Sequence, residues 1–229
     1  MFQFPDRSMV AVHVRLIVST TLLMLVSGCA SVTSTPELTR AESGNARSAR
    51  QAPRIESDGR SGFTVTEVVR IDSDVRNDYQ RAVASLTGDR LDEGIALLES
   101  IVARAPEVTI PHIELGVAYG RLKEYDKAEQ SLRTALSLAP NHPVALNELG
   151  ILYRRTGRFD AARASYEQVL AIHPGFHFAL LNLGVLCDLY LQDLTCALDN
   201  YQRYADIVTD DAQVGIWIAD LSNRLASVQ

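Results

Sequence analysis

Three cysteines, Cys29, Cys187 and Cys196, are the residues whose types and spacing could do identifiable chemistry. A thiol that closes a short apolar run can become a point of lipid attachment. Two thiols this near in sequence can close a disulfide in an oxidising compartment. The histidines promise less. His173 and His177 are four apart, but Pro174-Gly175 lies between them and breaks any shared helix face, so they are not a zinc pair of the HExxH kind. His112 and His142 are expected at surfaces. The chain has no glycine-rich phosphate loop and no G-x-S-x-G turn. The acid pairs Asp92/Glu93 and Asp210/Asp211 read as charges at helix N-termini rather than general acids. No catalytic residue, metal ligand or cofactor is therefore expected, and neither an enzyme nor a small-molecule substrate.

The composition agrees. Of 229 residues, 47% are hydrophobic and 22% charged, the balance of a soluble globular protein. The net charge is −6, and residues 63–229 are more acidic than the chain as a whole. A nucleic-acid partner or an anionic lipid surface would call for the opposite sign. Three cysteines are too few for a disulfide framework. No apolar run beyond the N-terminus is long enough for a polytopic membrane protein.

The N-terminus has its own logic. Arg7 and Arg15 precede an apolar stretch, Leu16 to Val26, that fits a signal-peptide core and is short for a membrane span. It ends in Val26-Ser27-Gly28-Cys29, which resembles the bacterial lipobox. The resemblance implies that residues 1–28 are a lipoprotein signal peptide, with Met1 or Met9 as the start. Cys29 then becomes the first mature residue, carrying a thioether-linked diacylglycerol and an N-acyl chain. Several acyl chains give durable anchoring. Ala30, where an Asp often marks inner-membrane retention, points to the periplasmic side of a bacterial outer membrane. The rest of 29–62 is rich in Ser, Arg, Gly and Pro and reads as a disordered tether with a reach of roughly 30 Å. Residues 63–72, opening Phe63-Thr64-Val65, are β-prone. They form either an extended strap on the following domain or a strand offered to a partner's edge.

From there on an internal repeat sets the architecture. Leu115-Gly116, Leu149-Gly150 and Leu183-Gly184 recur every 34 residues. So do Leu91, Tyr125 and Phe159; Gly94, Ala128 and Ala162; and Pro106, Pro140 and Pro174. This pattern resembles the tetratricopeptide repeat (TPR), a helix-turn-helix unit. The resemblance implies an all-α solenoid of about four repeats over 73–208 with a capping helix in 209–229. Gly116 with Ala128, and Gly150 with Ala162, mark close helix approaches. Leu115, Leu132, Leu149 and Tyr166 fill the layer between helices, and Asn141 ahead of Pro143 looks like an N-cap. The first unit has Arg81-Ala82 in place of Leu-Gly. In the fourth, one extra residue near Leu194 shifts the register, so that Ala197, Tyr201 and Tyr204 take the roles of Ala162, Tyr166 and Val169. In the last helix Val214, Trp217, Ile218, Leu221 and Leu225 share one side.

In this family the inner wall comes from the first helix of each repeat. The register then places Ile110, Ile113 and Val117, next Val144, Asn147 and Ile151, and finally Phe178, Leu181 and Val185 along a mostly aliphatic groove. Arg121, Glu148, Arg154 and Arg155 stand near its rim. Only Asn147 and Asn182 resemble the residues of TPR domains that clamp a C-terminal carboxylate, so that mode is not expected. An apolar groove suits an amphipathic helix or apolar strand of another protein, unless the strap or capping helix fills it. Cys187, late in one helix, and Cys196, early in the next, could meet across an antiparallel pair as a disulfide. The alternative is two buried free thiols. The layout is similar to that of type IV pilus pilotins, implying a scaffold that binds an envelope protein and aids its assembly. It is similar also to TPR lipoproteins that serve cell-wall hydrolases or proteases, or a TonB/ExbB-type complex.

Overall fold

The computed structural model describes residues 54–57, 63–66 and 71–227. The expected signal peptide, the lipidated Cys29 and most of the tether lie outside the described residues. The hairpin comes first. Strand β1 (Arg54–Ser57) pairs antiparallel with β2 (Phe63–Thr66), Ile55 opposite Val65. The β-prone Phe63–Thr66 thus has a partner inside the stretch read as tether.

Helices follow in pairs: α1 (Ser73–Thr87) with α2 (Leu91–Arg104), α3 (Thr109–Arg121) with α4 (Tyr125–Leu138), α5 (Pro143–Arg155) with α6 (Phe159–Ile172), and α7 (His177–Leu186) with α8 (Leu194–Ile207). Helix α9 (Ala212–Ala226) packs on α8. The second helix of each pair also meets the first helix of the next, and α3, α5 and α7 touch in series. None of the described helices is long and apolar enough to cross a membrane.

Local chemistry explains the punctuation. In the first three pairs a backbone bond closes the turn: Arg90 N to Ser85 O, Glu124 N to Tyr119 O, and Arg158 N to Tyr153 O. The residue just ahead of each of these second helices' N-caps is left-handed: Asp89, Lys123 and Gly157, with φ of 62°, 63° and 74°. Helix α5 opens on Pro143, and its N-cap is His142 rather than Asn141. The His142 side chain accepts the Ala145 N–H at 3.4 Å. Proline at the first helical position forces its immediate predecessor into extended backbone, which is the N-cap geometry.

Size complementarity sets the spacing within pairs. A Cβ on Gly116 would stand 2.5 Å from Leu132 Cγ, and one on Gly184 2.5 Å from the Tyr201 ring. The first pair meets the same demand with the roles exchanged. Ala82 on α1 is fully buried, and Gly94 on α2 lies against the Ala82 carbonyl and Leu86. The core runs through every layer, from Leu98 and Leu132 through Tyr166 to Tyr201 and Leu221, each at most 1% exposed. Arginines tie adjacent repeats: Arg121 donates to the Leu86 carbonyl at 3.1 Å and Arg155 to the Gly120 carbonyl at 3.2 Å.

The fourth pair differs. Helix α7 runs into a π-helical turn, Cys187–Leu191, which absorbs the extra residue ahead of Leu194. The turn closes through Asp193 N to Cys187 O at 2.9 Å, one residue wider than in the other pairs, with Gln192 left-handed at φ 54°. Cys187 and Cys196 are joined by a disulfide across this turn. Asp193 caps α8 through the Cys196 N–H at 3.0 Å; that bond and Arg163 hold its carboxyl below the usual carboxylate range.

Candidate functional site

The first helices, α3, α5 and α7, carry the residues expected to line the groove, and the structure divides them into two groups. Ile110, Ile113, Val144, Asn147 and Ile151 are all buried. Val117, Phe178, Leu181 and Val185 are half-buried. Three of these last four lie on α7, so the accessible apolar stripe is concentrated at the C-terminal end. It continues onto Leu189, 43% exposed.

The polar residues of the expected groove do structural work. Asn182 donates to Asn147 Oδ1 at 3.1 Å and Asn147 donates to Glu148 at 3.4 Å, an amide ladder between α7 and α5. Arg155 braces the Gly120 carbonyl, as described above. Arg154 lies 5.8 Å from the centre of the Tyr190 ring. Phe178 lies at a tilt against the His177 ring and meets Phe176 edge-on, with ring centres 4.0 and 5.6 Å away.

On the second-helix side, tyrosines tie the second and third repeats to their predecessors. Tyr119 donates its hydroxyl to Glu99, and burial together with that carboxylate pushes the phenol up to about 12. Tyr153 takes a bond from Arg133 at 2.8 Å and gives one to Glu129 at 3.2 Å. Glu129 also pairs with Arg158 at 2.7 Å, which leads in holding its carboxyl below the ordinary range. Among the groups shifted by burial, Glu114 is pushed up to about 7 and His142 down to about 4.

At the C-terminal end a cavity of about 660 Å³ opens between α7 with its π turn, α8 and α9. Tyr201, Leu194 and Trp217 form its floor, Val185 and Leu189 one wall, and Asp188, Asp220 and Arg224 the polar rim. Arg224 Nη1 reaches Asp188 at 3.1 Å and Asp220 at 3.4 Å. Sequence reasoning did not pick out these rim residues. The signal was present: Asp188 and Leu189 stand one repeat after Arg154 and Arg155, which the register did pick out.

Comparison with known proteins is consistent with this geometry. Models of the tetratricopeptide repeat match residues 107–174 and 147–212. Residues 107–212 are tetratricopeptide repeats. Among solved structures, MamA from Desulfovibrio magneticus RS-1 is similar at TM-score 0.59 and 19% identity, over 69% of this chain and 88% of that one. PilF of Pseudomonas aeruginosa is similar at TM-score 0.61 and 17% identity, over 67% of this chain and 69% of that one. The Thermus thermophilus TPR protein TTC0263 follows at TM-score 0.58 and 22% identity, over 65% of this chain and 81% of that one. At such identities the likeness shows the fold. No curated protein matches the chain by sequence. A TPR solenoid of this kind is a protein-interaction scaffold, whose stacked repeats present one continuous surface.

Proposed function

We propose that the chain is a lipid-anchored adaptor on the periplasmic side of a bacterial outer membrane, held there by Cys29. It binds an envelope protein along its first-helix wall and aids that protein's assembly or positioning, as pilotins do. It works by affinity and localisation, without bond chemistry. The observation that carries this reading is the accessible apolar stripe Phe178, Leu181 and Val185, which runs onto exposed Leu189. Its repeat is braced by a disulfide, a bond that persists in oxidising compartments such as the periplasm. The lipobox-like Val26-Ser27-Gly28-Cys29 supports the anchor.

The test is a crosslinking pulldown from membranes with the wild type and Leu181→Glu, with circular dichroism to verify that the helices persist. A charge on a half-buried aliphatic position spoils apolar docking. The expected outcome is one envelope protein captured by the wild type and lost in the variant. The same captured proteins in both would overturn the reading.

A further inference from the structure

We infer that the C-terminal cavity is an anchor pocket for a basic amphipathic segment of the protein partner. It takes a large apolar side chain on its Tyr201–Trp217 floor and a neighbouring lysine or arginine at the Asp188/Asp220 rim. The inference rests on the adaptor reading and names the chemistry of the partner at one end of that surface.

Three observations converge. The first is size and lining. About 660 Å³ lies in the range of built ligand sites, and a floor of one tryptophan and one tyrosine is the kind of surface that anchors interfaces. The two rings already meet each other, 5.3 Å between centres, so the floor is pre-organised.

The second is the charge at the rim. Two carboxylates share one guanidinium nitrogen, so the rim carries an excess negative charge even with Arg224 in place. Asp188 is the more sheltered, its side chain 14% exposed against 64% for Asp220. A cation brought beside it is attracted in a partly desolvated setting, where charge pairs count for more than at open surface. The surroundings have the same sign. From residue 171 to the C-terminus the acids are Asp188, Asp193, Asp199, Asp206, Asp210, Asp211 and Asp220, against Arg203 and Arg224 as the only bases. The middle repeats are different: 121–163 carry more bases than acids. The acidity is therefore local to this end of the solenoid. A TPR groove that clamps a carboxylate needs cations, and this rim offers the reverse.

The third is continuity. The cavity is not an isolated dimple. Val185 belongs both to its wall and to the accessible α7 stripe, and exposed Leu189 on the π turn lines it as well. A segment seated in the pocket can run on along Leu181 and Phe178 without leaving apolar surface.

Trp217 is the only tryptophan in the chain and lines the pocket, so its fluorescence reports occupancy directly. The probes are two synthetic peptide helices, each with one face of leucine and phenylalanine. One carries lysines on the opposite face and the other carries glutamates in their place. The lysine peptide is expected to shift Trp217 emission saturably and the glutamate peptide is not. The double variant Asp188→Asn/Asp220→Asn should weaken the lysine peptide about tenfold or more, and Leu189→Ser should weaken it severalfold. Asp126→Asn/Asp160→Asn removes the same charge from exposed positions on α4 and α6 and should change binding less than twofold. Circular dichroism verifies that each variant is folded. Equal binding of both peptides, no shift with either, or equal weakening by the two double variants would overturn the inference. Those results would leave the adaptor reading intact if Leu181→Glu still abolished capture from membranes.

Discussion

Replacing Gly150 with alanine tests whether close packing of the two helices within a repeat sets the geometry of the array. Alanine is the better helix former by about 1 kcal/mol, so propensity alone predicts a gain. The structure predicts a loss. A Cβ at Gly150 would lie 2.8 Å from Tyr166 Cδ1 and Cζ, with Cε1 nearer still. Ordinary carbon contacts need roughly 3.5 Å or more. The ring would have to move by the better part of an ångström, yet Tyr166 is fully buried and has no open side to move toward. Overpacking of this kind costs about 1–3 kcal/mol, and a rigid ring between two helices belongs at the upper end. Set against the propensity gain, the net is a destabilisation of about 2 kcal/mol, or roughly 4–8 °C in Tm for a domain of this size. Gly215→Ala is the control, since Gly215 sits in α9 with nothing near its missing Cβ. It should stabilise by about 1 kcal/mol. The assay is urea unfolding followed by far-ultraviolet circular dichroism, with the slope compared between variants to verify cooperativity. If Gly150→Ala raises the midpoint as Gly215→Ala does, the close approach does not constrain the fold and the reasoning fails.

Two further outcomes follow from the same structure. The disulfide closes a loop of nine residues' separation, so Cys187→Ser/Cys196→Ser should lose about 2–3 kcal/mol in the chain-entropy model, read as a lowered Tm. Added reductant should lower the wild-type Tm and leave the variant unchanged; an effect on both would refute the assignment. Glu114 and His142 should oppose one another in the pH dependence of stability. Glu114 titrates at about 7 when folded, against a lower unfolded value of 4.5. The folded state thus holds its proton in that window, and stability falls as pH rises from about 4.5 to 7. His142 titrates at about 4 when folded, against 6.5 unfolded. Here the unfolded chain binds the extra proton, and stability falls as pH drops from about 6.5 to 4. Glu114→Gln should therefore make the protein lose stability on acidification over that range, and His142→Asn should make it gain, each by up to about 3 kcal/mol. Identical profiles for the two variants would show that neither group titrates as described.

Much of the fold could be read in advance because a solenoid repeats its evidence. Leu115-Gly116 means little alone, but the same pair at Leu149-Gly150 and Leu183-Gly184 fixes both helix type and register. The register also led to the positions that face inward on the first helices. It could not tell which of them would be accessible. Ile110 and Phe178 are equivalent in the repeat, yet the first is 2% exposed and the second is half-buried. Exposure depends on what packs against each position, and a repeat pattern says nothing of that. The N-cap of α5 was misplaced by one residue because Asn is the better capping type, whereas proline geometry decides the position. The hairpin escaped notice because Arg54–Ser57 has the composition of its polar surroundings. Pairing with Phe63–Thr66 gives it order that composition does not advertise.

The rim residues were missed for a more instructive reason. Asp188, with Leu189 beside it, lies where the fourth repeat departs from the other three. The extra residue widens the turn after α7, so the backbone bond that closes after five residues in the earlier repeats closes after six. A wider turn without support would be a weak point, with Gln192 in a left-handed conformation that costs a non-glycine residue roughly 1–2 kcal/mol. The disulfide spans this stretch, from Cys187 at its start to Cys196 in the first turn of α8, and Asp193 caps the helix between them. Insertion, disulfide and cap therefore act as one device. They hold Asp188 and Leu189 out from the repeat in a fixed place, where α9 supplies Trp217, Asp220 and Arg224 to complete the cavity. A pattern search treats the extra residue as a flaw in the repeat. In three dimensions it is what separates this end of the solenoid from the rest, and it coincides with the acidic, accessible surface.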